Sequence, residues 1–202
     1  MIIDHGAPLS GSAGKVLWHT TMSLDGFIAA PGDGLDWAFR HPGPNPLRAE
    51  IIRTTGAVLV GRRSYDVGQR AERPEMRKVY GGAWTGAEFV LTHRAPPPNP
   101  SVTFLAGDIR GAVETALGAA NGKHLVLIGA DVARQSLAAG LVDEIAVHIV
   151  PVLLGDGVRF FSCPGGSPVD LMTLSVTRSG ELTNVRYRVG RETGPGGGRG
   201  VS

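Results

Sequence analysis

Residues 125–161 read LVLIGADVARQSLAAGLVDEIAVHIVPVLLGDGVRFF, and this stretch decides the fold. Residues 125–128 are a continuous apolar run of strand length, and Gly129 breaks it where a helical pattern through Val132 and Leu137 begins. A second strand, 144–150, follows and is stopped by Pro151, which lacks a ladder donor. A chain that passes from strand to helix through glycine presents unpaired backbone N–H groups and the positive end of the helix dipole above the sheet. Such a turn is suited to an anion, a nucleotide phosphate above all.

Working outward, strands and helices alternate. Strand patterns occupy 16–22, 57–60, 88–92, 102–105 and 124–128, and helical patterns occupy 46–54, 109–121 and 132–139. Alternation of this kind predicts a mainly parallel sheet with helices on both faces. Residues 171–178 and 182–189 instead alternate polar and apolar side chains across Ser179-Gly180, the pattern of an antiparallel hairpin. The expected class is therefore a mixed α/β sheet, mainly parallel, with a C-terminal antiparallel hairpin.

The 202 residues, 42% of them hydrophobic, suit one domain with a substantial core. We read 1–15 as an N-terminal tail, 16–190 as the domain, and 191–202, which contains GPGGGRG, as a flexible tail. Twenty basic against 18 acidic residues leave a charge of +2, and the basic groups are scattered, which argues against a nucleic-acid partner. The first fifteen residues lack an apolar signal core and no run has the length of a membrane span, so a cytoplasmic protein without a membrane partner is expected. The single cysteine, Cys163, excludes an internal disulfide and a cysteine-based zinc site, and is read as inert packing. Asp156, between Gly155 and Gly157, fits a tight turn, and His148, mid-strand among apolar residues, reads as a hydrogen-bonded core or interface histidine.

Five segments converge on a family: TTMSLDGFIA (20–29), VLVGRRSYDVG (58–68), VLTHR (90–94), IGADVA (128–133) and GLVDEIAVHIVPVLLGDGVRFF (140–161). In this order and spacing they resemble the dihydrofolate reductase-like superfamily. The closer resemblance is to the C-terminal reductase domain of the bacterial bifunctional riboflavin-biosynthesis deaminase-reductase. It spans roughly 16–189 and implies an NADP(H)-dependent oxidoreductase. Gly61, Arg62 and Ser64 match the family's phosphate-holding pattern, and their chemistry agrees: close backbone approach, a fixed fork of donors, and a hydroxyl for a pyrophosphate oxygen. The alternative is a solvated Arg62-Arg63 pair beside a helix cap at Ser64. Leu91, Thr92 and Arg94 close the third strand where the family binds the adenosine ribose and its 2′-phosphate, with His93 beside them. A cation there favours NADP over NAD, though both could be ordinary exposed residues before Pro96-Pro97-Pro98.

At the glycine turn the resemblance assigns Gly129, Ala130, Asp131, Val132 and Ala133 to the cofactor. The family has two successive glycines here, and this chain has Gly129-Ala130. Asp131 would repel a diphosphate unless it turned away to cap the helix, the role preferred for it. The segment 22–37 resembles the loop that closes over the nicotinamide, implying that Met22 and Ile28 touch that end of the cofactor. Trp37 would lie over the ring or over a substrate, Trp37 and Phe39 as core aromatics being the plainer reading. Asp25 is a candidate substrate contact, with a turn-stabilising role as its alternative.

The resemblance also says which substrates to reject. HPGPNP (41–46) occupies the region where dihydrofolate reductases carry an acidic residue, and Ile128 replaces the acidic residue the riboflavin enzyme has before its glycine turn. The reading is an NADPH-dependent reductase of a small heterocyclic or carbonyl-like molecule, its catalytic acid unassigned. A non-catalytic nucleotide-binding protein on the same fold is the alternative, with a flavin or deazaflavin in place of nicotinamide as a further possibility. Few helices remain after Ala139 to cover the last strands, so a homodimer through the C-terminal part of the sheet is expected.

Overall fold

The computed structural model describes residues 14–94 and 99–190. Most of both tails and the Pro96-Pro97-Pro98 turn lie outside the described residues. The elements are β1 (Val16–Ser23), β2 (Phe27–Ala29), α1 (Pro46–Thr54), β3 (Thr55–Gly61), α2 (Arg62–Arg70), β4 (Ala87–Leu91) and β5 (Thr103–Leu105). They continue with α3 (Ile109–Gly118), β6 (His124–Ile128), α4 (Ala130–Ala138), β7 (Glu144–Val150), β8 (Val158–Arg159), β9 (Leu171–Ser179) and β10 (Leu182–Val189).

Eight strands form one sheet in the order β5-β4-β3-β6-β1-β7-β10-β9, and β2 pairs with β8 in a small second ribbon. Pairings from β5 to β7 are parallel. The last two, β7 with β10 and β10 with β9, are antiparallel. The expected mixed sheet and its C-terminal hairpin are thus present, the hairpin turning at Gly180 with φ 58°.

Apolar residues line both faces of the inner strands, so both faces need covering. On one face Trp18, Leu59, Leu125, Leu127 and Val147 meet the small side chains of α3 (Ala112, Val113, Ala116) and α4 (Val132, Ala133). On the other, Leu17, Val58, Val60, Val126 and Ala146 meet Leu47 and Ile51 of α1 and Tyr65 of α2. Each large aliphatic buried here contributes about 1.5–3 kcal/mol before entropy is counted.

Several expectations are corrected. The helix α2 is absent from the sequence reading because its nine residues are mostly polar and include Gly68; burial of Tyr65 at 6% exposure anchors it. The third helix ends at Gly118 rather than 121, and the fourth starts at Ala130 rather than 132. The pair β2–β8 is too short for its pattern to register. Cys163 is exposed, not packed. Among the described residues no helix is long and apolar enough to cross a membrane.

Candidate functional site

From β3 the chain steps outward through β4 and β5, whereas β6 returns to the inner side of β3 and leads on towards β7. The strand order therefore reverses between β3 and β6, the place where open α/β sheets form a ligand crevice beyond the strand ends. Val60 and Ile128 are paired neighbours there. Each strand runs through a glycine directly into a helix: Gly61 is the N-cap of α2 and Gly129 that of α4, and neither helix start is capped by a side chain. By contrast α1 and α3 are capped by Asn45 and Asp108. Two adjacent helix N-termini thus point unpaired N–H groups and positive dipole ends at one spot.

The two turns touch. Gly129 has φ 108° and ψ 140°, and a Cβ there would lie 2.5 Å from Ser64 Oγ. At Gly61 a Cβ would lie 3.2 Å from a Val132 methyl. Glycine at these positions lets the turns close on each other and puts the Ser64 hydroxyl between them.

A cleft of about 770 Å³ opens over this spot, and Gly61, Arg62, Ser64, Gly129, Ala130, Asp131 and Val132 all line it. At the end of β4, Leu91, Thr92, His93 and Arg94 line its far part. Thr92 is buried and organises that corner: its hydroxyl accepts from the Arg94 N–H and donates to the Arg94 carbonyl, both at 3.1 Å. Arg62 Nη1 donates to the same hydroxyl at 3.4 Å while its Nε donates to Asp66 at 2.8 Å. The guanidinium is thereby held at the start of α2, between the glycine turns and Arg94. Arg94 and His93 are exposed.

The segment after β1 closes one side. Ile28 lines the cleft, and so does Asp33, which accepts two hydrogen bonds from Arg63 at 3.0 and 2.7 Å and so ties this segment to α2. Sequence reasoning missed this bridge, which joins residues thirty apart.

Other expected residues lie elsewhere. Met22 shares the strand face of Trp18 and packs on the core beneath α3 and α4. Trp37 is 3% exposed, its Nε1 donating to the Gly34 carbonyl at 3.1 Å, so it is the core aromatic and does not line the cleft. Phe39 is 48% exposed, not a core residue. Ala133 is fully buried on the inner face of α4, in the core against the sheet. Asp131 does not cap its helix: in the first turn of α4 it accepts from Arg134 at 2.8 Å and Gln135 at 2.7 Å, because Gly129 already holds the cap position.

Asp25 also stands apart from the cleft. It accepts from the Ser23 hydroxyl at 2.6 Å and from the backbone N–H groups of Leu154 and Gly155, the nearest at 2.7 Å. These bonds, Ser23 foremost, hold its pKa down to about 2. It clasps the segment after β1 to the segment after β7, the turn-stabilising role. Asp156 accepts from the N–H of Gly157 at 2.7 Å, the tight turn expected. His148 is 3% exposed and hydrogen-bonded, as read. The cleft wall also includes Thr20, Tyr65, Tyr80 and Glu88, none of which the sequence reading assigned to the site.

The chain is 26% identical over 153 residues to the uncharacterized protein YyaP of Bacillus subtilis, covering 73% of this chain and 80% of that one. In three dimensions it resembles a putative riboflavin biosynthesis protein from Shewanella, with a TM-score of 0.68, 23% identity, and coverage of 88% of this chain and 99% of that one. It also resembles the dihydrofolate reductase of Enterococcus faecalis complexed with NADP(H), with a TM-score of 0.55, 18% identity, and coverage of 89% and 98%. The model of the RibD C-terminal domain matches residues 14–184, nearly the whole described fold, and the chain belongs to that family.

Proposed function

We propose that the protein is an NADPH-dependent reductase of a small heterocyclic or carbonyl-like substrate, with the cofactor along the cleft. The observation that carries this reading is the pair of uncapped helix N-termini at the strand-order reversal, with the Ser64 hydroxyl between them. A diphosphate at that point would accept from the backbone N–H groups at the starts of α2 and α4 and from Ser64. Arg62, steadied by Asp66 and Thr92, adds a charge-assisted donor, and Arg94 stands at the end suited to a 2′-phosphate. Ile28 and Thr20 lie towards β1 and suit the nicotinamide half. The cofactor supplies a hydride; the chain's residues bind, orient and shield. Membership of the RibD C-terminal domain family supports a reductase, and the NADP(H) of the E. faecalis relative supports a nicotinamide. None of the named relatives supports a flavin.

Titration with NADPH and NADH, followed by cofactor fluorescence, tests the reading. NADPH should bind more tightly, and Arg62→Ala should weaken it by about 1–3 kcal/mol. Equal affinity of the wild type for both cofactors would sink it.

A second copy of the chain is the partner we propose. The edge strand β9 exposes Leu171, Met172, Leu174 and Val176, the last at 61%, and no helix follows α4 among the described residues. An apolar, unpaired edge of this kind is normally buried, most simply by a two-fold dimer.

A further inference from the structure

On the face covered by α1 runs a buried line of polar side chains that the cofactor reading leaves unused. It starts at Tyr80 in the cleft wall and crosses β1, β7 and β10. The Tyr80 hydroxyl is 2.8 Å from His19 Nδ1, His19 Nε2 is 2.8 Å from His148 Nε2, and His148 Nδ1 is 2.6 Å from Asn184 Oδ1. Asn184 Nδ2 donates to Ser179 Oγ at 2.9 Å. His19, His148 and Asn184 are each less than a tenth exposed.

The direction of every bond follows from the far end. Asn184 is oriented by its donation to Ser179 and by accepting from Asn45 Nδ2 at 2.8 Å. Asn45 is oriented in turn, because its Oδ1 accepts the Arg48 N–H as the cap of α1. A carbonyl oxygen only accepts, so across the 2.6 Å contact His148 Nδ1 carries hydrogen, and the longer 3.2 Å approach of Asn45 Nδ2 to the same nitrogen is then a contact between two donors, the Asn45 amide donating to Asn184 instead. Burial pushes both imidazoles below their ordinary value; at His19 the neighbouring His148 and then Arg48 push further, and at His148 burial and Arg48 together prevail over the hydrogen bond to Asn184, which pulls the other way. Both rings are therefore neutral near pH 7, with one N–H each. His148 Nε2 must accept, His19 Nε2–H must donate to it, and His19 Nδ1 must accept from Tyr80. Burial raises the Tyr80 pKa well above the ordinary phenol value, so its proton is available for that bond.

Tyr80 needs such an anchor. Its φ is 55°, in the left-handed region, and Gly81 and Gly82 follow at 69° and 83°. Three successive left-handed residues have little local preference for holding a bulky ring in one place. The ring also leans over His19, with centroids 5.5 Å apart.

We propose that His19 and His148 are positioning residues: they carry one directed chain of hydrogen bonds from Tyr80 to Asn184, and this chain holds Tyr80 in the cleft wall. Its bearing on cofactor affinity rests on the reading above, while the chain itself can be judged without any cofactor.

The test is nitrogen NMR of the histidine rings in the cofactor-free protein at pH 7.5, with amide hydrogen exchange of residues 79–83 in the wild type and in Tyr80→Phe, which removes a single oxygen. The expected result is an Nδ1–H tautomer at His148 and an Nε2–H tautomer at His19. In Tyr80→Phe the His19 Nδ1 resonance shifts, and exchange at 79–83 quickens about 5- to 10-fold, the loss of roughly one net hydrogen bond. NADPH then binds about 3-fold or more weakly to the variant. The opposite tautomer at either ring, or equal exchange in the two proteins, overturns the proposal. Failure of the wild type to bind NADPH overturns the cofactor reading instead, and the tautomers and exchange rates still decide the chain.

Discussion

Gly129→Ala tests the geometry on which the phosphate reading stands. With φ 108° and ψ 140° the backbone lies close to a region open essentially to glycine alone, and holding an alanine there costs about 1–3 kcal/mol. The new methyl would also lie 2.5 Å from Ser64 Oγ but 3.4 Å from Ser64 Cβ. Overpacking of this order costs about another 1–3 kcal/mol, for a total of about 2–6 kcal/mol. Urea denaturation should register that loss, and Tm should fall by at least about 4 °C. The second cost can be separated from the first. In Ser64→Ala/Gly129→Ala the oxygen is gone and the remaining Cβ–Cβ contact is ordinary, so the double variant should regain the overpacking share and keep the backbone share. A single variant within about 0.5 kcal/mol of wild type refutes the backbone argument. No recovery in the double variant refutes the contact between the turns.

Asp25 has a pKa lowered from 3.8 to about 2 by Ser23 and the 154–155 backbone, so its contribution is complete above about pH 3.8 and lost as pH falls towards 2. Acid titration of stability should therefore be flatter over that window in Asp25→Asn; parallel curves would dismiss the clasp. Dihydrofolate and the riboflavin-pathway pyrimidine should both be turned over negligibly, since Asn45, which donates to Asn184, heads α1 where a carboxylate would be needed, and Ile128 offers no acceptor. A kcat/KM of roughly 10⁴ M⁻¹s⁻¹ or more for either would show that the substrate end has been misplaced. In analytical ultracentrifugation at micromolar concentration the wild type should sediment as a dimer and Val176→Lys as a 21.1 kDa monomer; a monomeric wild type removes β9 as an interface.

The sequence by itself determined most of the sheet and marked much of the cleft lining. Strands such as 124–128 and 144–150 are recognisable because their apolar runs are continuous and their ends are marked by Gly129 and Pro151, signals that act within a few residues. For the same reason Gly61 and Gly129 were identifiable as the glycines that end β3 and β6, whereas Ser64, in the first turn of α2, and Thr92, just past β4, were singled out by the family resemblance. Tertiary structure alone decided matters that depend on which distant residues meet. Helix α2 is held by Tyr65 in a core built from other elements, so its own polar sequence carries little helical signal. Trp37 turned inward because Gly34 could satisfy its indole N–H, and Asp25 was engaged by backbone 129 residues away. His19 and His148, also 129 residues apart, became a pair only when β1 and β7 were laid side by side. Periodicity records which face a side chain takes; the fold alone supplies its partner across that face.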